Sequence, residues 1–175
     1  MKVGISKNIF IIRLSTVEPE ILKKYFQDRA APLVIYNKIE NLLNIYPDIK
    51  EWYEEKIKKA LNEKDPTREV LVALDKEELN IVGIAILKKT KEENKICTIR
   101  VKEEYLHQGI GTQLFKEAFK YLEDTKPLIT ISEDNIECFK PILKKFDFKL
   151  VEKIKGLYVP GKIEYIYNKK FKRED

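Results

Sequence analysis

The segment from residue 95 to residue 122 constrains the fold most, because it runs from an apolar strand through two glycines into an amphipathic helix. The strand is Lys95–Val101, and the glycines are Gly109 and Gly111. Glycine lets a backbone approach a ligand closely, and the following helix presents free N–H groups and a positive dipole end. This arrangement is typical of a site for a phosphate or pyrophosphate.

Two common phosphate-binding motifs do not fit this segment. The chain has no G-x-x-x-x-G-K-[ST] sequence, and Leu114 stands where a dinucleotide fingerprint needs its third glycine. A glycine pair also occurs in plain turns and at helix ends, so the pair alone does not indicate a binding loop and the neighbouring sequence must be considered.

The hydrophobic periodicity of the whole chain predicts the element order β, helices, βββ, α, β, α, ββ. Strands are predicted at Asn8–Leu14, Glu69–Leu74, Asn80–Leu87, Lys95–Val101, Leu128–Ile131, Lys149–Ile154 and Ile163–Tyr167. Helices are predicted from a cap at Ser15 or Thr16 to about residue 64, at Gly111–Leu122, and at Asn135–Phe146, where Pro141 forces a kink or a late start. A helix between the third and fourth strands of the second half requires a crossover between parallel neighbours. We therefore expect a single α/β domain over residues 1–175, with a mixed sheet and helices on its faces.

Composition excludes several classes of site. Two cysteines and one histidine cannot build a disulfide framework, a multi-cysteine zinc site or a histidine pair, so we expect no metal. We expect Cys97 and Cys138 to be buried thiols and His107 to contribute loop backbone. No apolar run is long enough to cross a membrane and no signal-peptide pattern is present, so the expected location is cytoplasmic.

The net charge of +5 is mild, but basic residues concentrate in the segment 169–173. One interpretation is a solvated tail. The less favoured alternative is a phosphate-binding patch for a nucleic acid.

Beyond the glycines, Val101, Tyr105 and Ile110 fall into register with a longer pattern: a strand ending in Val, an acidic turn, an aromatic residue, then G-x-G at a helix start. The segment 129–135 and Val82–Ala85 match the neighbouring strands of the same pattern. Over residues 68–168 the sequence thus resembles the GNAT acetyltransferase superfamily. The resemblance implies a mostly antiparallel mixed sheet with helices on both faces, and acetyl-CoA as the cosubstrate.

The resemblance also implies which residues hold acetyl-CoA. The main chain of Ile99 and Val101 would bind the pantetheine arm, and Asn135 would touch the arm near the thiol. The pyrophosphate would lie against the loop formed by His107, Gln108, Gly109, Ile110, Gly111 and Thr112.

Acetyl transfer needs a polarised carbonyl, a base and an acid for the leaving thiolate. We assign the N–H of Ile99 to the carbonyl, Glu93 or Glu133 to the base, and Tyr158 to the acid. Each side chain also has a plainer interpretation, as a solvated carboxylate, a helix-capping charge and a packing aromatic respectively.

The sequence departs from the family pattern at several places, and two of them concern ligand contact and catalysis. Leu106 replaces a Gln or Arg, and Ile142 or Leu143 stands where the family usually carries a tyrosine that protonates the thiolate. The general acid therefore stays open, and so does a CoA-binding regulatory domain without turnover.

The preferred hypothesis is an N-acetyltransferase that moves an acetyl group directly to a primary amine of a small molecule or protein. The helices of residues 17–64 would form one wall of the acceptor site, although their aromatics, Tyr36, Tyr46, Trp52 and Tyr53, are expected in the core. A toxin-type acetyltransferase of aminoacyl-RNA is the alternative that the basic C-terminus motivates, and a homodimer is compatible with the family.

Overall fold

The computed structural model describes residues 8–26, 31–39, 46–63 and 65–172, and its elements follow the predicted order. The strands are β1 (Ile9–Arg13), β2 (Arg68–Asp75), β3 (Asn80–Lys89), β4 (Asn94–Val101), β5 (Leu128–Ser132), β6 (Leu150–Lys155) and β7 (Ile163–Tyr167). The helices are α1 (Pro19–Phe26), α2 (Ala31–Ile39), α3 (Ile49–Trp52), α4 (Lys59–Glu63), α5 (Ile110–Leu122) and α6 (Ile136–Lys145), with a π-helical stretch Tyr53–Lys58 joining α3 to α4.

The seven strands form one sheet in the order β1-β2-β3-β4-β5-β7-β6. Neighbours are antiparallel except β4 and β5, which are parallel and connected through α5. The predicted mixed, mostly antiparallel sheet with helices on both faces is confirmed.

One face of the sheet is covered by α5 and α6. Leu114, Phe115 and Leu122 from α5 are fully buried there against residues such as Leu71 and Ala85. A Cβ at Gly83 would lie 3.1 Å from the Arg100 carbonyl oxygen and 3.2 Å from Leu114 Cδ1. This glycine therefore lets the first turns of α5 lie close to the sheet.

The opposite face is covered by α1 to α4 and the π-helical stretch. Ile35, Ile39 and Ile57 pack there against Val72 and Ile86, and all five side chains are fully buried. The described part of residues 17–64 is thus mostly helical, and its helices lie on the side of the sheet opposite α5.

Three local predictions are wrong. Ser15 does not cap a helix, because Leu14–Thr16 is a short 3-10 turn and α1 begins at Pro19. The Ser15 hydroxyl instead donates to the Glu69 carboxylate. Of the two outcomes predicted for Pro141, a kink or a late start of the helix, the late start does not occur, because α6 begins at Ile136. Cys138 on that helix is exposed rather than buried.

Two kinds of feature are absent from the described ranges. No helix there is long and apolar enough to cross a membrane. No group of three or more histidine, cysteine or carboxylate side chains there could hold a metal ion.

Candidate functional site

The central feature of the site is a gap between β4 and β5. The two strands pair only at Lys95–Leu128 and Ile96–Ile129 and then separate. A cavity of about 50 Å³ opens where they part, lined by both strands and by Tyr46, Asn135 and Phe139. Beyond residue 96, the edge of β4 therefore faces open space instead of a neighbouring strand.

The ladder between β3 and β4 determines which β4 amides face this gap. Lys102 N donates to the Val82 carbonyl at 2.9 Å, which makes Val101 and Gly83 a non-hydrogen-bonded pair. Because an antiparallel ladder alternates, Ile99 also directs its N–H and C=O away from β3. The backbone groups of Ile99 and Val101 accordingly point towards the gap, where an amide-rich chain can pair with them.

A β-bulge lies where the strands begin to part. Ile96 pairs with Leu87 and Thr98 pairs with Ile86, so Cys97 is the extra residue. A bulge bends its strand and increases the local twist, which helps β4 diverge from β5. Cys97 is half-buried and lines the gap, contrary to the prediction of a buried thiol.

The glycine loop ends in an open helix N-terminus. His107 and Gly109 adopt positive φ angles of 62° and 83°, and α5 begins directly afterwards at Ile110. No acidic residue lies in the first turn, no side chain caps it, and Lys145 Nζ lies 3.4 Å from Thr112 Oγ1. The unpaired amides of a first turn, with an ammonium group beside them, suit a phosphate.

Gly111 has room for a side chain in this structure. A Cβ there would lie 3.9 Å from Ile142 Cδ1 and 4.0 Å from Val101 Cγ2, which are ordinary contacts, and its φ is not left-handed. Internal packing therefore does not require glycine at this position, in contrast to Gly83. Close approach of a ligand is a physical reason for its lack of a side chain.

The four other predicted site residues lie at different distances from the gap. Asn135 lines it, and its Nδ2 donates to Ser132 Oγ at 3.2 Å. Glu133 follows β5, and its carboxylate lies 3.9 Å from Lys162 Nζ.

At the other end of β4, Glu93 forms an ion pair of 3.0 Å with Lys88. Tyr158 is partly exposed, and its hydroxyl accepts from Lys95 at 3.2 Å.

The sequence interpretation missed a buried carboxyl group beside the gap. Glu164 on β7 is 1% exposed, pairs with Ser132 of β5, and has an Oε2 atom without a hydrogen-bond partner. Burial raises the pKa of Glu164 to about 7, although Tyr46 and Lys95 both act to lower it. Burial and the nearby Glu164 carboxyl also raise the pKa of Tyr46. A carboxyl that titrates near neutrality is suited to proton transfer.

A second cavity adjoins the gap on the α1–α4 side, and we call it the acceptor cavity for the role that we propose for it below. It has a volume of about 330 Å³ and shares Tyr46, Cys97, Thr98 and Thr130 with the gap. Trp52 and Tyr46 line this cavity, so the prediction that they are only core residues is wrong. Tyr53, by contrast, is buried, as predicted. The cavity therefore opens onto β4 from the face opposite α5.

Comparison with solved structures supports the fold. A GNAT-family protein from Desulfovibrio desulfuricans superposes with a TM-score of 0.68 at 15% identity, covering 91% of this chain and 96% of that one. The N-acetyltransferase PaiA from Thermoplasma acidophilum, solved with coenzyme A, gives 0.57 at 22% identity, covering 93% and 99%. Nourseothricin acetyltransferase gives 0.53 at 16% identity, and the match covers 59% of this chain but only 65% of that one.

No curated protein matches the sequence. The model of the acetyltransferase (GNAT) family matches residues 35–139, more than half of the chain, including β4, the glycine loop and α5. The chain belongs to the GNAT acetyltransferase family.

Proposed function

We propose that this protein is an acetyl-CoA-dependent N-acetyltransferase that transfers the acetyl group directly to a primary amine. The observation that carries the proposal is the gap between β4 and β5, into which Ile99 and Val101 direct their backbone groups. The gap leads to the open N-terminus of α5, so one extended ligand with a diphosphate could contact both features.

Acetyl-CoA would occupy the region of residues 68–168. Its pantetheine amides would bond the main chain of Ile99 and Val101 as an added strand, and Asn135 would contact the arm near the thiol. The diphosphate would accept hydrogen bonds from the loop amides between His107 and Thr112, with Lys145 adding a positive charge. The helices of residues 17–64 would form the acceptor wall of the same domain.

Glu164 is the base in this proposal, in preference to Glu93 and Glu133. It lies beside the gap, whereas Glu93 is already engaged with Lys88 and Glu133 lies near Lys162. The Ile99 N–H would stabilise the negative charge that develops on the acetyl oxygen.

One proton moves from the amine nitrogen towards the thiolate. The neutral amine nitrogen bonds to the acetyl carbon as the carbon–sulfur bond breaks, and the proton that the nitrogen then loses passes to Glu164. The departing thiolate takes a proton either from Glu164 through the Tyr46 hydroxyl, or from Tyr158, in which case Glu164 releases its proton to solvent and Tyr158 regains one from solvent. The hydroxyl of Tyr46 or Tyr158 would take the place of the tyrosine that the family usually carries on α6. In this chain α6 has no tyrosine, and its Leu143 is buried among apolar side chains.

Thermal unfolding with acetyl-CoA and with ATP tests the cosubstrate assignment. At a concentration about 100-fold above Kd, acetyl-CoA should stabilise the protein by about 2.7 kcal/mol, or roughly 5–11 °C. Gly111→Val should abolish this shift, while Lys116→Val, which places the same β-branched side chain at an exposed position of α5, should retain it. An unchanged shift in a folded Gly111→Val variant would contradict the loop assignment.

Release of free thiol from acetyl-CoA in the presence of primary amines tests turnover. Amine-dependent release is expected. A thermal shift without release from any amine would instead indicate a CoA-binding regulatory domain.

A further inference from the structure

A third cavity, which we call the basic cavity, lies beside the acceptor cavity. It has a volume of about 430 Å³ and shares Trp52, Lys95, Cys97, Leu157 and Tyr158 with its neighbour. Its charged lining consists of five basic side chains and one carboxylate: Lys56, Arg68, Lys88, Lys95, Lys172 and Glu93. The lining is therefore strongly cationic at neutral pH.

Most of this charge is not neutralised by the described part of the chain. Glu93 forms its ion pair with Lys88. Within the described ranges, no carboxylate lies within ion-pair distance of the other four cations of the basic cavity. Arg68 Nη1 is buried and has no hydrogen-bond partner there. A buried guanidinium nitrogen without an acceptor is costly, and an anionic ligand would supply the acceptor.

We propose that the basic cavity binds an anionic group of the acceptor, a carboxylate or a phosphate, at the end opposite the reacting amine. This inference rests on the proposed amine acetylation and names the class of acceptor. The acceptor is then an elongated molecule with an amine at one end and an anion at the other.

The geometry of β4 sets the length of that molecule. Ile99, where the acetyl carbonyl would lie, and Lys95 in the basic cavity are four residues apart on β4, which corresponds to about 13 Å in a regular strand and to less where the bulge at Cys97 bends it. An α-amino acid is too short to span this distance, because its amine and carboxylate are attached to the same carbon. A linear chain of several methylene groups or a short peptide can span it.

The walls between the two ends suit an apolar linker. Trp52 and Tyr158 line both the acceptor cavity and the basic cavity. Lys95 Nζ lies 5.0 Å from the centroid of Phe171 and 3.2 Å from the Tyr158 hydroxyl, so aromatic groups hold the ammonium in the basic cavity.

The test compares acceptors that share a linker and differ in their far end. The acceptors are 8-aminooctanoic acid, 8-aminooctylphosphonic acid, octylamine and 1,8-diaminooctane, with glycine as the short acid. We expect kcat/KM for the two long acids to exceed that for octylamine by about 10-fold or more, and glycine and the diamine to be poor acceptors. The ratio between the two acids distinguishes a carboxylate from a phosphate ligand.

Substitution of Arg68 tests whether the preference for long acidic acceptors arises in the basic cavity. Arg68→Gln should raise KM for the preferred acid by about 10- to 100-fold while leaving octylamine turnover and the acetyl-CoA thermal shift unchanged. Arg68→Lys should restore part of the preference, and Lys59→Gln, at an exposed lysine of α4 outside the cavity, should have no effect.

Different results would overturn the anionic acceptor and the proposed function itself. Equal use of long acids and octylamine, with Arg68→Gln without effect, would overturn the anionic acceptor while amine acetylation stands. Acetylation of aminoacyl-RNA with no activity on any of the small acids would also overturn it. Absence of an acetyl-CoA shift and of thiol release with every amine would overturn the proposed function itself.

Discussion

The buried ionisable groups on the two faces of the sheet differ in how completely they are hydrogen-bonded. On the α5–α6 face, Glu69 accepts from the Ser15 hydroxyl and amide and from the Val70 amide. On the α1–α4 face, Glu164 and Arg68 each keep a buried atom without a partner in the described structure. Buried polar groups are normally hydrogen-bonded, and these are the two ionisable groups that the proposed ligands would satisfy. The side-chain oxygens of Asn80 and Asn94, which are not ionisable, also lack partners in the described structure.

Asp75 and Glu164 show the same contrast in their proton affinities. Burial acts to raise the pKa of Asp75, but the amides of Glu78 and Glu77 and the Tyr105 hydroxyl hold it below its usual value. Burial dominates at Glu164 and raises its pKa to about 7. A satisfied carboxylate stabilises the fold, whereas an unsatisfied one can exchange a proton near neutral pH.

Replacing the proposed base should give the largest effect. Glu164→Gln should lower kcat/KM for acetyl transfer by about 100-fold or more, because general base catalysis typically contributes 10²–10⁴-fold. Glu93→Gln and Glu133→Gln are the matched controls and should each change it by less than about 5-fold. A greater loss in either control than in Glu164→Gln would move the base to that residue.

Stability measurements should separate the two faces by sign. A carboxyl whose folded pKa is raised stabilises the fold below its unfolded pKa, and that contribution is lost as pH rises through the folded value, here near 7. At pH 8, Glu164→Gln should therefore stabilise the protein by up to about 3 kcal/mol, and the gain should shrink towards pH 5. Glu69→Gln should instead destabilise it at pH 8 by about 1–2 kcal/mol, since a neutral amide oxygen accepts more weakly than a carboxylate oxygen from the Ser15 and Val70 amides.

Thermal unfolding over pH 5–8 measures both variants. Stabilisation of both at pH 8, or of neither, would remove the contrast between the faces.

Two glycines extend the comparison to packing and ligand approach. Gly83→Val should destabilise the protein by about 1–3 kcal/mol, because its Cβ would press on the Arg100 carbonyl and on Leu114. Gly111→Ala should stabilise the protein without ligand by about 0.5–1 kcal/mol, since it lies in a helix and has room for a methyl group. The same variant should bind acetyl-CoA more weakly, as calorimetry would show; unchanged binding would mean that no ligand approaches Gly111 closely.

The sequence predicted those features that depend on contiguous residues, and it did not predict those that depend on contacts between distant residues. The strand, glycine loop and helix of residues 95–122 are contiguous, so local patterns identify them, and the crossover requires parallel β4 and β5. Glu164 was missed because Tyr46, its neighbour, is far away in the chain and only the fold brings the two together. The available signal was the strand Ile163–Tyr167, in which Glu164 shares its alternating face with the buried Ile166.

The start of α1 shows a second limit. Ser15 satisfies the rule for a helix cap, but Glu69, 54 residues later, offers its hydroxyl a buried acceptor. Tertiary contacts of this kind override a local preference and cannot be read from one segment. The exposure of Cys138 is likewise set by which face of α6 meets the sheet.

The pH dependence of kcat/KM for octylamine acetylation tests the central claim most directly. An amine of this kind titrates far above neutrality, so a pKa near 7 in the profile belongs to the protein. We predict that kcat/KM rises with pH through an apparent pKa near 7, and that this inflection disappears in Glu164→Gln but persists in Glu133→Gln. An inflection near 7 that survives in a folded, active Glu164→Gln variant would contradict the assignment of Glu164 as the base.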